Sequence, residues 1–255
     1  MKMLSKNKIK FITSLHQKKY REINSCFIAE GPKVVADLLQ SKLELLTVCA
    51  LPIWFSNLDQ MPDAECIVIT PDELGKMSAL STPSEVLAIF RIPETILLPN
   101  EIENSLSIVL DSVRDPGNLG TIIRTADWFG IRAIICSPDS VDVWNPKTVQ
   151  ATMGALANVK VHYAILPDLI KQYASKSFPV YGTFLTGDSI YKASLGTKGF
   201  IVMGSESHGI SFEIEALVTD KITIPSLNPS QKQSESLNLA SATAIVCSEF
   251  LRNQK

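Results

Sequence analysis

The sequence has few of the residues that bind metals or form disulfides. Its 255 residues include five cysteines and three histidines, with no C-x-x-C pair and no histidines at ligand spacing. An odd number of widely separated cysteines predicts reduced thiols in apolar surroundings. We therefore expect no metal site. The cysteines are Cys26, Cys49, Cys66, Cys136 and Cys247.

Long apolar runs are missing as well. No uninterrupted apolar stretch approaches the roughly 18 residues that cross a bilayer. The first residues, MKMLSKNKIKF, lack the apolar region of a secretory signal. We expect a globular, cytoplasmic protein with no membrane partner. With 45% apolar residues the chain can bury a core in one large or two modest domains.

Three common enzyme motifs do not occur. The G-x-G-x-x-G dinucleotide fingerprint and the G-x-x-x-x-G-K-[ST] phosphate loop are absent. The sequence therefore disfavours an enzyme that uses a nicotinamide cofactor or a nucleoside triphosphate. The G-x-S-x-G turn of serine hydrolases is absent too. The ligand therefore has to be inferred from other loops.

The near-neutral charge hides a basic N-terminal segment. The formal net charge is −2, yet seven cations of this segment face only Glu22. The segment is either an arm that neutralises RNA phosphates or a solvated tail. The cations are Lys2, Lys6, Lys8, Lys10, Lys18, Lys19 and Arg21.

The pattern of apolar residues predicts two α/β regions. Helices are predicted around residues 9–15 and over 30–39, followed by strands over 45–51, 66–70 and 86–92. Beyond a linker with two prolines, strands over 106–110, 133–136, 159–163, 180–184, 200–203 and 221–224 alternate with helices. Such alternation predicts a mostly parallel sheet covered on both faces. We expect domains at 1–97 and 106–255, a linker at 98–105 and a last helix over 236–251.

The run over residues 110–130, LDSVRDPGNLGTIIRTADWFG, predicts a strand, a polar turn and a helix. In open α/β sheets this junction forms the usual ligand crevice. The Asp-Pro-Gly of residues 115–117 predicts a tight turn, and Asn118 offers an amide where backbone donors converge. Gly120 allows close approach of a ligand or another chain.

Arg124 lies within this helix but off its apolar face. Two interpretations remain open for it: a solvent-exposed pair with Asp127, contributing roughly 0.2–0.5 kcal/mol, or a ligand contact. The positions that helical spacing turns inward are Ile122, Ile123, Ala126 and Phe129.

A second loop, MGSESHGIS, follows a short apolar strand. Gly204 and Gly209 let the backbone meet a ligand with no Cβ in the way. Glu206 is a candidate acceptor for backbone amides of a neighbouring loop or for a cationic group. A structural turn and a ligand site fit this loop equally well.

A third loop precedes the last helix. Ser236 suits the N-cap of this helix, which would be worth about 1 kcal/mol. Asn238, in the first turn of an alanine-rich helix, predicts a contact to a ligand or to the Asn118 loop.

These segments, in this order, resemble the three signature motifs of the SpoU-type RNA ribose 2′-O-methyltransferases of the SPOUT class. The matching stretches are DPGNLGTIIRTADWFG, VMGSESHGIS, and IP with ESLNLA. KKYREINSCFIAEGPKVVADLL is similar to the family's L30e-like RNA-substrate-binding domain, and WNPKTVQATMGA resembles its connecting motif. Two features depart from the pattern: residues 226–235 lack the glycine common there, and GALANVKV lacks an aromatic-basic pair.

The resemblance implies a parallel sheet with a C-terminal trefoil knot, an exception to unknotted topology, after a small L30e-like α/β domain. It implies S-adenosylmethionine bound in the knot and a homodimer with residues of both subunits near each site. The implied cofactor-binding residues are Gly204, Ile224, Leu237, Thr183 and Gly209.

The implied reaction is methyl transfer to a ribose 2′-hydroxyl without a metal. Arg124 would be the central catalytic residue, with Asn118, Glu206, Ser236 and Asn238 shaping the site. Since a guanidinium stays protonated, we expect Arg124 to clamp the target phosphate and stabilise alkoxide charge while the proton leaves to a phosphate oxygen or water. Ribosomal RNA is the preferred substrate and transfer RNA an open one. The rival hypotheses are a non-catalytic RNA-binding or ribosome-assembly factor and a small-molecule methyltransferase.

Overall fold

The computed structural model describes residues 4–174, 177–227 and 236–252. Contacts within the chain divide it into two compact units. The first unit comprises the residues up to Glu94 together with Asp142–Asn158, and the second comprises Thr95–Val141 together with the residues from Val159 onward. The predicted domain limits of 1–97 and 106–255 stay a prediction.

Helices and strands alternate along both units. In chain order they are α1 (Lys6–Ser14), α2 (Lys18–Asn24), β1 (Cys26–Glu30), α3 (Pro32–Leu39), β2 (Leu45–Ala50), α4 (Pro52–Ser56), β3 (Glu65–Val68), α5 (Pro71–Met77), β4 (Val86–Arg91), α6 (Pro99–Glu103), β5 (Leu106–Leu110), α7 (Pro116–Trp128), β6 (Ala133–Cys136), α8 (Pro146–Thr152), β7 (Lys160–Tyr163), α9 (Leu166–Tyr173), β8 (Val180–Ser189), β9 (Gly199–Met203), α10 (Phe212–Glu215), β10 (Asp220–Thr223) and α11 (Leu239–Leu251).

The first unit contains a mixed four-stranded sheet in the order β1-β4-β2-β3. Strand β4 runs antiparallel to β1 and β2, whereas β2 and β3 are parallel. The sequence did not predict β1, and placed Glu30 in a helix. Glu30 instead ends the buried strand, where its carboxylate accepts hydrogen bonds from the Ser78 hydroxyl and the Ala79 N–H.

Segment 142–158 belongs to the first unit through a buried ion pair. Arg21 is only 2% exposed and donates to Asp142 Oδ2 from Nε at 3.1 Å and from Nη2 at 2.6 Å. Its Nη1 also donates to two carbonyls of the α1–α2 junction, each at 2.8 Å. The rings of Phe27 and Trp144 lie 4.5 Å apart, centroid to centroid. Arg21 therefore holds two distant segments together.

Two of the cations counted in the basic N-terminal segment are paired within the protein. Arg21 is not available to RNA, and the Nζ of Lys8 donates to Glu65 Oε2 at 2.5 Å. Lys2 lies outside the described residues. The cations left exposed on α1 and α2 are Lys6, Lys10, Lys18 and Lys19.

The second unit contains a six-stranded sheet in the order β10-β8-β9-β5-β6-β7, and every described pairing in it is parallel. Strands β5 and β9 lie at its centre and are buried throughout, as the largely apolar strands of a parallel sheet should be; Ser107 of β5 is the one buried polar residue in the pair. Apolar side chains of β5, β6, β8 and β9 pack with those of α9 and α10 in one core cluster. Helices α7 and α11 pack against each other.

The strand order places a ligand crevice beside β5. From β5 the chain adds β6 and β7 on one side, then crosses to β8 and β9 on the other. Ligands of open α/β sheets bind where the order reverses in this way, outside the carboxyl ends of the strands. The loops after β5 and β9 meet at that switch point.

Several predicted boundaries shift. Strand β8 runs to Ser189, beyond the predicted residue 184, and α6 occupies most of the predicted linker. The last helix begins at Leu239, three residues later than predicted. The trefoil knot stays a prediction. Among the described residues, no helix has both the length and the apolar content needed to cross a membrane.

Candidate functional site

Three loops of the second unit meet in one hydrogen-bonded chain of side chains. Asn118 Nδ2 donates to the Glu206 carboxylate, and Asn238 Nδ2 donates to Asn118 Oδ1 at 3.0 Å. Asn118 is 88 residues from Glu206 and 120 residues from Asn238. The tertiary structure thus joins one residue from each of the three sequence motifs.

Asn118 is placed by the start of α7. The tight turn predicted at residues 115–117 is the capped start of the helix itself. Asp115 is the N-cap of the helix, its Oδ1 accepts from the Asn118 N–H at 2.7 Å, and Pro116 occupies the first helical position. A capping carboxylate followed by proline is a common start of a helix, so the sequence carried this signal. The capped first turn fixes where the Asn118 amide lies.

The link from β5 to α7 contains a backbone conformation that non-glycine residues seldom adopt. Ser112 has φ 58°, and its N–H donates to Ser137 Oγ at 2.8 Å. The next N–H, of Val113, donates to Ser140 Oγ at 3.2 Å. Hydroxyl donation from Ser137 and then Ser112 holds the pKa of Asp139 below its ordinary value. The serine-rich loop after β6 thus holds the strained link in place, and strain of this kind concentrates at functional sites.

Arg124 is an exposed cation with no ion pair or hydrogen bond to any described residue. The pair with Asp127, which one interpretation of the sequence required, is not formed. Ile122, Ile123 and Ala126 are buried as predicted. Because its helix is fixed by these contacts while its guanidinium lacks a partner, Arg124 is available to an anionic ligand.

The loop after β9 is closed by a two-residue backbone pairing. Ser205 and Gly209 exchange N–H to O bonds of 3.1 and 2.9 Å. A Cβ on Gly204 would lie 2.0 Å from the Gly209 carbonyl carbon, which leaves no room for a side chain. Gly209 has φ +70°, a conformation that favours glycine. Both glycines are required by this loop, which presents Glu206 to Asn118.

Asn238, not Ser236, caps the last helix. Its Oδ1 accepts from the N–H groups of Ala240 at 3.0 Å and Ser241 at 3.2 Å. The N-cap prediction for Ser236 was wrong, because the helix begins three residues later. Of the two contacts predicted for Asn238, the one to the Asn118 loop is present.

A cavity of about 860 Å³ lies beside this network. It is bounded by the second half of β8, by the loops after β9 and β10, and by α11. Thr183 lines it, although its hydroxyl donates to the Val202 carbonyl at 2.9 Å. The predicted residues on the cavity wall are Thr183, Gly204, Glu206, Gly209, Ile224, Ser236 and Leu237, whereas Asn118, Arg124 and Asn238 lie outside its lining.

Comparison with known protein families decides the affiliation. Residues 105–248, more than half of the chain, match the SpoU rRNA Methylase family. The chain belongs to the SpoU rRNA methylase family. Residues 6–88 match a second family, described as the MRM3-like substrate binding domain. The resemblance found in the sequence is therefore confirmed.

Alignments with two relatives extend over most of this SpoU family member. The 23S rRNA (guanosine(2553)-2′-O)-methyltransferase RlmP of Bacillus subtilis is 28% identical over 240 residues, 94% of each chain. The mitochondrial rRNA methyltransferase 3 of Xenopus tropicalis is 29% identical over 238 residues, 86% of this chain and 57% of that protein.

Solved structures of the same class confirm the α/β fold with a parallel sheet. A Porphyromonas gingivalis protein described as an RNA methyltransferase of the TrmH family gives a TM-score of 0.86 at 40% identity, covering 98% of this chain and 99% of that one. The AdoMet-bound rRNA methyltransferase of Sinorhizobium meliloti gives a TM-score of 0.84 at 28% identity, covering 100% and 98%.

Sequence reasoning missed two features of this SpoU site. It did not predict the strained Ser112, since nothing in the sequence marks a serine that will adopt a positive φ. It also considered His208 only as a metal ligand, although His208 lines the cavity. Among the described residues, no three histidine, cysteine, aspartate or glutamate side chains are grouped as metal ligands would be.

Proposed function

We propose that this chain transfers a methyl group from S-adenosylmethionine to a ribose 2′-hydroxyl of ribosomal RNA. The observation that carries the proposal is the junction of the three motifs: Glu206, Asn118 and Asn238 form one hydrogen-bonded chain beside the cavity. The family assignment and the two rRNA methyltransferases among the relatives support the same activity.

The cavity fits a nucleoside cofactor. Its volume of about 860 Å³ falls within the range of small-molecule sites, roughly 300–1,000 Å³. The missing side chain of Gly204 lets its loop close tightly against Gly209, and apolar residues of β10 and α11 also line the cavity. We assign cofactor contacts to Thr183, Gly204, Gly209, Ile224 and Leu237. When bound, S-adenosylmethionine supplies a methyl group activated by a sulfonium centre.

Arg124 is assigned to the RNA. Its unpaired guanidinium presents a rigid fork of donors that matches two phosphate oxygens, and the same charge stabilises negative charge that develops on the 2′-oxygen. Asn118 and Asn238 orient Glu206, and Ser236 contributes a hydroxyl at the cavity wall. Much of the rate acceleration would come from alignment of the two reactants.

The first unit is assigned to substrate binding. Its match to a substrate-binding domain and the four lysines left exposed on α1 and α2 support an RNA contact that weakens with salt. Ribosomal RNA is the preferred substrate and transfer RNA the alternative. An RNA partner of this kind favours the cytoplasm as the compartment.

A homodimer and a trefoil knot complete the proposal. Trp128, at the end of α7, leaves 85% of its surface exposed in a single chain. A second copy could cover so large an apolar side chain. Sedimentation velocity at working concentration tests this, and a strict monomer would contradict a site shared between subunits.

Methyl transfer into RNA tests the proposed function. Labelled S-adenosylmethionine is incubated with ribosomal subunits, or with transfer RNA, from a strain that lacks the protein, and the label is mapped. We expect one labelled 2′-hydroxyl, and its loss with Arg124→Ala. Arg124→Lys should retain the charge but lose the two-point contact, so its rate should fall by at least tenfold.

Two results would overturn parts of this proposal. Cofactor binding without methyl transfer to any RNA would favour the non-catalytic assembly factor. A fully active Arg124→Lys variant would remove the two-point phosphate contact. Asp127→Asn, a half-buried neighbour on the same helix, serves as the matched control.

A further inference from the structure

The second unit has another, smaller cavity that the proposed function does not use. Its volume is about 110 Å³, which is room for several water molecules. Part of its wall comes from the β5–α7 link, through Asp111, Ser112 and Arg114, and the rest comes from the loop after β9. Its lining side chains are polar, so the ligand that it suits is polar as well.

This small cavity adjoins the larger one. Most of the loop formed by residues 205–209 lines both cavities, so the two share this loop as a wall. The same loop carries Glu206, whose carboxylate accepts a hydrogen bond from Asn118. The small cavity therefore lies next to residues that are assigned to methyl transfer.

The strained residue of the β5–α7 link belongs to the small cavity. Ser112, with φ 58°, lines it and is not among the described residues that line the larger cavity. Its N–H donates to Ser137 Oγ at 2.8 Å, and the next N–H donates to Ser140 Oγ at 3.2 Å. Backbone strain persists where the surrounding fold fixes it, and it concentrates at ligand sites. A binding role for the small cavity accounts for the strain.

Arg114 gives this cavity a cation that is easily released. Its side chain is 78% exposed, and its Nη2 lies 3.8 Å from Asp139 Oδ2. An exposed ion pair contributes little to stability, and the Asp139 carboxylate also accepts from the Ser137 hydroxyl at 2.7 Å. A guanidinium can bind a phosphate through two parallel hydrogen bonds, which are stronger than such a pair. Arg114 can therefore exchange Asp139 for a phosphate.

The wall of the small cavity also carries a buried carboxylate. Asp111 is 4% exposed, with Oδ2 accepting from the Ser211 N–H at 2.7 Å and Oδ1 accepting from the Ser112 hydroxyl at 3.3 Å. A free phosphate inside the cavity would be repelled by this negative charge. A nucleotide avoids the repulsion, because its phosphate can stay at the exposed Arg114 while hydroxyl or amino groups of its sugar or base donate to the wall. The cavity thus fits a nucleotide better than a simple anion.

We propose that the small cavity binds the RNA nucleotide next to the one that is methylated, with Arg114 holding its phosphate. This inference rests on the proposed function and extends its RNA contacts. Arg114 precedes α7, whereas Arg124 lies further along this helix, and residues 116–124 of a helix span about 12 Å. Guanidinium groups on positions so far apart suit different phosphates of one strand. Arg114 is thus a binding residue that fixes the register of the strand and takes no part in the methyl transfer step.

Filter binding over a range of salt concentrations tests the role of Arg114. The RNA is the one identified by methyl transfer, and the variants are Arg114→Gln and Arg114→Lys. Arg132→Gln is the matched control, because Arg132 is exposed but directly precedes β6, at the opposite edge of the sheet. Calorimetry with S-adenosylmethionine and thermal unfolding are carried out on each variant.

Arg114→Gln should weaken RNA binding about tenfold near physiological salt, and it should lower the magnitude of the slope of log affinity against log salt by about 0.7–0.9, the value for one phosphate contact. Arg114→Lys should keep the slope, because it keeps the charge. Neither variant should change the cofactor affinity or Tm. The single-turnover rate at saturating RNA should be nearly unchanged, as expected of a residue that contributes binding alone.

Ethylation of single RNA phosphates locates the contact. In the wild type, ethylation of a phosphate next to the methylated nucleotide should weaken binding, and Arg114→Gln should lose its sensitivity at that phosphate alone. Arg124→Ala should lose its sensitivity at a different phosphate.

The proposal is overturned if Arg114→Gln keeps the wild-type affinity and slope, if Arg132→Gln loses as much, or if the Arg114 and Arg124 variants lose sensitivity at the same phosphate. Free nucleoside monophosphates that bind the wild type as tightly as the RNA does, and fail to bind Arg114→Gln, would assign the cavity to a small molecule instead. Filter binding does not require turnover. A wild type that binds RNA but methylates none would contradict the proposed function and not the binding role of Arg114.

Discussion

Asn238 makes two kinds of hydrogen bond that different substitutions can separate. Its Oδ1 caps α11 through the N–H groups of Ala240 and Ser241, and its Nδ2 donates to Asn118 Oδ1 at 3.0 Å. Asn238→Ala removes both interactions. Asn238→Asp keeps the capping oxygen, and a carboxylate at a helix N-terminus is favourable. It removes the donor to Asn118, however.

The expected magnitudes follow from these bonds. Loss of an N-cap costs about 1 kcal/mol, and loss of the exposed side-chain hydrogen bond adds up to about 1 kcal/mol. Asn238→Ala should therefore lower the free energy of unfolding by about 1–2 kcal/mol, a fall in Tm of roughly 3–6 °C for a chain of this size. Asn238→Asp keeps the cap and loses only the bond to Asn118, so it should cost at most about 1 kcal/mol.

Both variants should slow methyl transfer by about 10–100-fold, because the Glu206 carboxylate loses the chain of amides that aligns it. Thr70→Ala is the matched control: it removes an N-cap of α5 in the first unit, where Thr70 Oγ1 accepts from the Glu73 N–H at 3.3 Å. It should cost about 1 kcal/mol of stability and leave the rate unchanged.

Thermal unfolding gives the stabilities, and single-turnover methyl transfer gives the rates. If Asn238→Asp were as active as the wild type, the bond to Asn118 would have no part in the reaction. If Thr70→Ala slowed the reaction as much as Asn238→Ala, the rate loss would only reflect stability.

Three further outcomes are expected. Gly204→Ala should abolish cofactor binding in calorimetry, because its Cβ would lie 2.0 Å from the Gly209 carbonyl carbon. The control is Gly75→Ala, whose Cβ would have no atom within 4 Å. This control variant should bind the cofactor normally and gain about 0.5–1 kcal/mol of stability. Brief alkylation of native protein near pH 8 should label half-buried Cys66 first. The reason is that burial raises the pKa values of the Cys49, Cys136 and Cys247 thiols to about 12. Equal labelling of all five cysteines would contradict this prediction. Burial lowers the pKa of His162 below 6.5, so the unfolded state binds more protons and stability should fall as pH drops below about 6.5. In denaturant titrations, His162→Gln should make this fall of stability with pH less steep. An unchanged dependence of stability on pH would refute the prediction.

The sequence by itself determined the local structure around the first motif of the second unit. Runs of β-branched and aliphatic residues predicted β5 and β6 at their observed limits, because a fully buried parallel strand is mostly apolar, with Ser107 the polar exception in β5. Helical spacing turned Ile122 and Ile123 inward and left Arg124 outside. The order of the motifs also identified the family, since each loop keeps its residues in one short segment.

Only the tertiary structure decided which distant residues meet. The sequence did not predict strand β1, because its five residues end in the charged Glu30. In the structure, groups of Ser78 and Ala79, 48 and 49 residues away, donate hydrogen bonds to this buried carboxylate. Arg21 looked like a free cation until folding brought Asp142 to it across 121 residues. Periodicity cannot show such pairings, because it reports which way a side chain faces and not what it faces.

The same limit of local patterns explains why Ser236 was predicted as the N-cap of α11 although Asn238 is the N-cap in the structure. Both are good N-cap residues, and the sequence favoured the earlier one. The helix starts where Asn238 can cap two N–H groups and also reach Asn118, which lies on a strand-to-helix junction 120 residues earlier. The choice between two equivalent local caps was therefore made by a contact that exists only once the sheet has brought its carboxyl ends together.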